Sequence, residues 1–359
     1  MDILISIISF IFIMTIIVFV HEYGHYLFAK ICNVKIEIFS IGFGMPLKNF
    51  TDRKGTNWRI CLIPMGGYVK LLGDCTKEEA DKLSDEEKKY SLYHKHPLQK
   101  ILIAFGGPLA NFVMAFLLLI FMYSISGKMI ASSEISEVIK DSPAYVAGIK
   151  PGDIVLEVSG HNIENFNDIK NSLFTNLGEE IIFKIQRDFK EIDVKIIPQM
   201  LTVKNILGVE RKLPEIGIKS EKLFMKTYNF TESVILSIST ISTMIKQTLV
   251  VLWQMINRLR GVENLSGPIG IAKASLYFIK SGFMSIIWFV VMISVNIGFF
   301  NLLPIPILDG GRIFNSLIEL AFGNNFADKF AKYSSKLGMA LLFMLFIFAS
   351  YNDIKIILG

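Results

Sequence analysis

Cysteine is scarce and one-sided in this chain of 359 residues: Cys32, Cys61 and Cys75 are the only three, and none follows through to residue 359. A disulfide framework is thereby excluded, and the later half must fold on packing alone. Charge is thin as well. The 37 Lys and Arg side chains exceed the 32 Asp and Glu by little, for a net +5, a balance that demands neither nucleic acid nor an acidic partner. A cleavable signal peptide is also unsupported. Asp2 is the sole charged side chain before the first apolar run, and Val20-His21-Glu22 is no small-residue cleavage site. Histidine is rare enough, at five residues, for each to be weighed singly.

Apolar residues are what the chain has in excess. They make up 52% of it, and mean hydropathy is +0.48, too greasy for an ordinary soluble enzyme. A membrane span needs about 20 apolar residues to cross a hydrocarbon core of about 30 Å. Ile3–Val20 with its continuation, Ile101–Ile125 and Phe283–Leu303 meet that length, and Leu337–Ala349 with its flanks is shorter but uncharged. The expectation is a polytopic α-helical membrane protein of about four transmembrane helices. Residues 1–126 carry spans 1 and 2 and the loop between them, and 281–359 carry spans 3 and 4. That loop holds Lys30, Lys35, Lys48, Arg53, Lys54, Arg59, Lys95 and Lys100, whereas Asp2 alone precedes span 1. By the bias of Lys and Arg toward the cytoplasm, the amino terminus lies outside and the loop inside. The mixed-charge run KEEADKLSDEEKKY within it reads as a solvated helix or loop.

Between spans 2 and 3 lies a soluble segment, 127–229. DIVLEVSG and EIIFKIQRD alternate like strands, NFNDIKNSLF reads as a short helix with an Asn cap, and SPAYVAGIKPGD supplies turns. In residues 230–280, Val234, Ile238, Ile241, Ile245, Leu249, Leu252 and Ile256 recur at helical spacing with Ser and Thr on other faces. That pattern predicts an amphipathic helix at the membrane interface rather than a further crossing.

The chemistry starts at the end of span 1, in His21-Glu22-Tyr23-Gly24-His25. In H-E-x-x-H on a helix the two imidazoles, four residues apart, share a face and can ligate one Zn²⁺, while the glutamate is left to activate water. Ionisable groups in a span cost about 2.5–3.5 kcal/mol on insertion scales and therefore mark functional cavities. The bland alternative, polar residues that merely end the span, does not account for the spacing. Two histidines need a third protein ligand. His94, His96 and His161 read as surface residues. Asp309 in NIGFFNLLPIPILDGGR is the better candidate: Pro304 and Pro306 break the helix after span 3, and Gly310 and Gly311 permit a tight turn. Spans 1 and 3 must then run in one direction, with a single return crossing between them. A second crossing at 230–260 would leave Asp309 about 30 Å from the histidines.

Several separate stretches, HEYGH, FSIGFGMPL, RICLIPMGGYVKLLGD, FGGPLANF, LSGPIGIA and NLLPIPILDGG, together resemble the site-2 protease family of zinc intramembrane metalloproteases. The likeness is strongest to the bacterial branch that regulates the sigma-E envelope response. The segment around SPAYVAGIKPGDIVLEVSGHNI resembles a PDZ domain. The resemblance implies one Zn²⁺ per chain held by His21, His25 and Asp309, with Glu22 as catalytic base. It implies that Asn296 and Asn301 orient substrate or stabilise the oxyanion. Gly66, Gly67, Tyr68 and Val69 would belong to a membrane-associated β-hairpin that pairs with an unwound substrate segment. It further implies a bacterial inner-membrane location, with the PDZ-like domain outside and the site near the cytoplasmic face. Water would enter past Gly42–Gly44, and the lipid bilayer rather than nucleic acid would be the surrounding partner. Well-known relatives carry two PDZ domains where this chain has room for one, which puts size exclusion of substrates by a PDZ pair in doubt. Substrates would be single-span membrane proteins, such as anti-sigma factor-like regulators, or remnant signal peptides, with peptide contact by the PDZ-like domain. Two rival readings stay open on the residues alone. One is a non-proteolytic transporter or metal carrier, which predicts polar residues spread through other spans. The other is an inactive PDZ scaffold, which has no need of zinc.

Overall fold

A computed structural model describes residues 2–175, 180–204, 210–258 and 268–358. Residues 265–267 of the LSGPIGIA stretch lie outside them. The chain divides into two units, residues 1–122 with 231–359 and residues 123–230.

The first unit opens with α1 (Asp2–Ile31), one uninterrupted helix in which the apolar run and HEYGH are continuous. A hairpin follows, β1 (Ile36–Thr51) and β2 (Asn57–Leu71). It is curled: Phe39, Ser40 and Ile41 each face two partners, one near either end of β2. Its base is buried in an aromatic cluster with α1, in which Phe39 stacks on Trp58 at 4.4 Å and meets Tyr26 edge-on. The mixed-charge run forms two single-turn helices, α2 (Lys77–Ala80) and α3 (Asp85–Lys88). The second starts in a capping box, with Ser84 N–H donating to Glu87 and Glu87 N–H to Ser84 Oγ. The next helix, α4 (Pro97–Ile125), is 29 residues long.

The second unit holds β3 (Lys128–Ala131), β4 (Glu137–Val138), α5 (Pro143–Val146), β5 (Ile154–Val158), β6 (His161–Asn162), α6 (Phe166–Thr175), β7 (Ile181–Arg187), β8 (Lys190–Ile196), β9 (Gln199–Lys204), β10 (Glu210–Glu215), β11 (Ile218–Lys219) and β12 (Leu223–Lys226). Four strands make a sheet in the order β6-β5-β7-β8, and the rest pair two by two. Ile181, Phe183 and Ile185 are fully buried and alternate with exposed Ile182, the two-residue period of a half-buried strand. Both strands and the helix expected from sequence are present, and Asn165 Oδ1 caps α6 by accepting from Asn167 and Asp168 N–H. One charge is deeply buried here. Asp153 receives both Nε and Nη2 of Arg187 at 2.7 Å, and that hydrogen bond with its carboxylate holds the guanidinium above its ordinary pKa. Tyr228 N–H donates to the Tyr123 carbonyl at 3.3 Å, so the chain leaves this unit where it entered.

The first unit then resumes with α7 (Phe230–Arg258), α8 (Pro268–Lys280), α9 (Phe283–Asn301), α10 (Asp309–Phe322) and α11 (Asn324–Leu358). Their contacts fix directions. Near the start of α1, Ser6 Oγ donates to the Ala272 carbonyl and Ser275 Oγ to the Ser6 carbonyl, so α8 and the start of α9 lie at that end. Midway, Ile13 and Ile17 of α1 meet Phe289 of α9. Past the end of α9, Asp309 meets His21 and His25. Helices α1 and α9 are therefore parallel. The partners of α1 on α4 run the other way, from Ile103 opposite His25 to Met114 near Ile13 and Ile17. With α4 antiparallel to both, α7 and α8 together add no net crossing, as the pairing of Asp309 with the histidines requires.

Four helices among the described residues are long and apolar enough to span a bilayer: Leu4–Ile31, Pro97–Ile125, Phe230–Trp253 and Phe283–Asn301. Three of the four spans expected from sequence are among them. Residues 230–253, expected to be interfacial, reach a mean hydropathy of 1.6. Their hydroxyls are cheap to bury because Ser237 and Thr248 donate back to the carbonyls of Ser233 and Met244 within the helix. Leu337–Ala349, expected as a short fourth span, is the middle of the 35-residue α11, about 50 Å long at 1.5 Å per residue.

Candidate metal centre

One turn of α1 separates His21 from His25, and their Nε2 atoms stand 3.3 Å apart. Asp309 closes the triangle, with Oδ2 3.0 Å from His21 Nε2 and Oδ1 3.3 Å from His25 Nε2. These three are the one such cluster of potential ligand atoms among the described residues. Asp309 Oδ2 is buried without a hydrogen-bond partner among the described residues, although an imidazole nitrogen lies beside it. Two imidazole nitrogens and a carboxylate, converging with an orphaned oxygen, are a donor set that fits a divalent cation of borderline softness such as zinc.

Local sequence explains each position. After α9 the chain turns through Pro304 and Pro306 to Ile307, whose φ of 88° is a costly conformation for a β-branched residue. Backbone strain of this kind persists where surrounding structure over-determines it, and it accompanies functional sites. Leu308 is extended and caps α10, so Asp309 is its first residue. A Cβ on Gly310 would lie 2.2 Å from the Leu303 carbonyl oxygen, so only glycine lets α10 fold back on the end of α9. On α4, a Cβ on Gly107 would lie 2.4 Å from His25 Nε2, and one on Gly24 of α1 would lie 2.2 Å from the Gly106 carbonyl oxygen. These small residues bring α4 onto the histidines. His25 Nδ1 then bonds the Ile103 carbonyl at 2.8 Å, and His21 Nδ1 stands 3.2 Å from Asn111 Nδ2.

The cluster sits at one side of a cavity of about 510 Å³. Glu22, Tyr68, Val69 and Asn301 line it together with the three candidate ligands. Gly67 is also close, since its Cβ would lie 3.4 Å from Glu22 Cγ. Gly66 packs on the Phe43 ring and does not line the cavity. Asn296 is not on the cavity: its amide donates to the Met292 carbonyl at 2.8 Å and accepts from Thr248 Oγ1 at 3.2 Å. Gly42 and Gly44, expected beside the water path, do not line the cavity either. One part of its wall is polar, with Tyr93, Lys100, Arg312, Glu319 and Asp328. There Lys100 Nζ grips both oxygens of Glu319 at 2.7 and 2.9 Å. Tyr93 donates to Asp328 at 2.8 Å, and burial together with that carboxylate pushes its phenol up. His94, His96 and His161 are exposed.

Residues 101–111 were read from sequence as the start of span 2, with FGGPLANF among the stretches that carry the resemblance, and the neighbours they give the histidines were missed. Asn111, a lone amide in the middle of an apolar run, was the available signal. The Ile103 carbonyl left no signal, because a main-chain oxygen is present at every position.

A helix-borne His-Glu-x-x-His packed against a carboxylate beside a cavity, among helices of spanning length, is the arrangement of a metallopeptidase site built inside a membrane protein. The chain belongs to peptidase family M50, whose model matches residues 9–345, and it is a metallopeptidase of that class. Relatives that carry the name "putative zinc metalloprotease" include two that align over nearly their whole length. The one from Mesorhizobium japonicum is 34% identical over 97% of this chain and 98% of its own. The one from Rickettsia conorii is 36% identical over 98% of this chain and 99% of its own. A metalloprotease of Caulobacter vibrioides is 30% identical over 98% and 96%. Among solved structures, the PDZ domain of an SdrC-like protein from Listeria innocua is 21% identical, covers 26% of this chain and 99% of that one, and has a TM-score of 0.21. Membership of a peptidase family decides against the transporter and inactive-scaffold readings.

Proposed function

We propose that the protein is a zinc-dependent intramembrane endopeptidase that hydrolyses peptide bonds within transmembrane segments of single-span substrates. One observation carries the reading: His21, His25 and Asp309 converge to within 3.3 Å of one another beside Glu22 on a single cavity. His21 Nε2, His25 Nε2 and the Asp309 carboxylate hold one Zn²⁺. Zinc bound there supplies Lewis acidity, polarising a peptide carbonyl and making water nucleophilic near neutral pH. Glu22 accepts the proton of the attacking water and returns it to the leaving amine. Asn301, on the cavity, donates its amide N–H to the oxyanion. Asn296 acts at one remove, keeping α9 on α7 so that substrate is oriented.

A substrate helix hides its carbonyls in internal hydrogen bonds and must be unwound before attack. Gly66, Gly67, Tyr68 and Val69 offer a strand for that extended segment, since β1 and β2 form a sheet of two strands among the described residues. Met45, Leu47, Phe50 and Leu62 of the hairpin are exposed apolar side chains, which supports its insertion at the membrane surface. In the bacterial inner membrane, the amino terminus and the PDZ-like second unit face outside and the site lies near the cytoplasm. The second unit contacts substrate peptides by adding a strand. Anti-sigma factor-like regulators and remnant signal peptides are the two substrate classes.

Replacing Glu22 by Gln removes the base and spares the ligands. The purified variant keeps its zinc, while cleavage falls by about 10²–10⁴-fold. In cells, comparative membrane proteomics of wild type against the variant shows single-span fragments accumulating. Undiminished cleavage by Glu22→Gln would overturn the mechanism.

A further inference from the structure

Each histidine of the cluster has two ring nitrogens, and a metal takes only one. Both rings present Nε2 to Asp309, so their orientation rests on what holds Nδ1. For His25 the holder is the Ile103 main-chain carbonyl at 2.8 Å, an acceptor that survives any substitution at that position. For His21 it is a side chain. Asn111 is fully buried, its own carbonyl is fixed by Ser294 Oγ of α9 at 2.9 Å, and its amide stands 3.2 Å from His21 Nδ1. Its Oδ1 is buried without a partner among the described residues.

The two faces of this amide correspond to two states of the ring. With Nδ2 donating to Nδ1, a neutral His21 carries its proton on Nε2 and has no lone pair for a metal. With the amide turned over, Oδ1 accepts from Nδ1–H and the Nε2 lone pair points at the cluster. The second arrangement is the only one compatible with ligation, and it gives the orphaned Oδ1 a donor. We infer that Asn111 is a positioning residue for the metal centre: its side-chain carbonyl accepts the Nδ1 proton of His21, sets the tautomer, and leaves Nε2 free to bind zinc. The inference rests on the proposed zinc site. It adds that His21, unlike His25, depends on the chemistry of one α4 side chain.

Zinc affinity of the full chain in detergent, measured by competition with a chromogenic chelator, tests this without reference to proteolysis. Losing an outer partner of a ligating histidine costs about 10–100-fold in metal affinity. Asn111→Leu keeps the volume without the acceptor and binds zinc weaker by that factor. Asn111→Asp keeps an acceptor at the same reach and binds at least as tightly as the native chain. Asn111→Leu binding zinc like the native chain overturns the assignment. Should the leucine variant not fold, the aspartate variant decides alone, a tenfold loss of affinity there being equally fatal. A native chain that takes up no stoichiometric zinc defeats the metal reading itself and this inference with it. Zinc in the native chain but no effect of Asn111 defeats only the latter.

Discussion

The core of the second unit is built mainly from large side chains excluded from water, among them Val155, Val158, Ile169, Ile181, Phe183, Ile185 and Ile196. Where α1 meets α4, the contact is made by Gly24, Gly106, Gly107 and Ala110, with the buried amide of Asn111 at its centre. The contrast follows from the two solvents. In water, apolar burial drives association at about 25 cal/mol per Å². In lipid it gains nothing, since the surroundings are as apolar as leucine, and helices associate through close backbone approach and polar bonds instead. That regime also assembles the site, because the approach bringing α4 onto α1 delivers the Ile103 carbonyl and Asn111 to the histidines.

The largest way to break the comparison is to treat the helix contact as if it were an ordinary core. Gly24→Leu adds apolar surface, which would be tolerated if hydrophobic burial held α1 to α4. Its Cβ, however, meets the Gly106 carbonyl oxygen at 2.2 Å, and main chain cannot step aside. The expected outcome is loss of stoichiometric zinc and of cleavage together, read by metal analysis of the purified chain. Retention of zinc by this variant would show that the close approach is incidental.

The opposite change belongs to the second unit. Phe183→Ala removes a fully buried ring from its sheet and costs about 3–5 kcal/mol. Limited proteolysis of the full chain reads this as faster cutting within residues 123–230, while zinc content stays at the native level. Loss of zinc in step with proteolysis would mean that the metal site draws its stability from this unit.

The sequence was most legible where one residue type at one spacing carries the chemistry. HEYGH, Asp309 after two prolines, and the Asn-capped α6 are all of that kind, and each follows from a local rule that operates in isolation. Fold class and family were legible for the same reason. Residues 230–253 pair an apolar face with Ser and Thr whose hydroxyls bond the preceding turn and cost little to bury, so their local pattern fits an interfacial helix and a span alike. The polar wall of the cavity was not legible at all. Lys100 and Glu319 are 219 residues apart, and Tyr93 meets Asp328 across a similar gap. Neither pair leaves a local pattern, since each exists only because α4, α10 and α11 converge.

That wall also sharpens the comparison at its smallest scale, because it follows neither regime: its groups are partly buried, yet they are held by charge-assisted bonds. Tyr93 serves two of them, donating to Asp328 at 2.8 Å and placing its ring 5.2 Å from Lys100 Nζ. Tyr93→Phe separates these roles, since the ring stays under the ammonium while the hydroxyl goes. Only one hydrogen bond to a carboxylate is lost, and Asp328 is not fully buried, so water replaces part of it. The expected cost is about 1.5 kcal/mol, seen as faster hydrogen exchange in the first turns of α11 with zinc content unchanged. Because burial and Asp328 both push the phenol up, it remains a donor throughout the neutral range, and the difference between wild type and variant is flat with pH there. A larger cost, or loss of zinc, would mean that the polar wall helps to hold Asp309 in place as well as to bound the cavity.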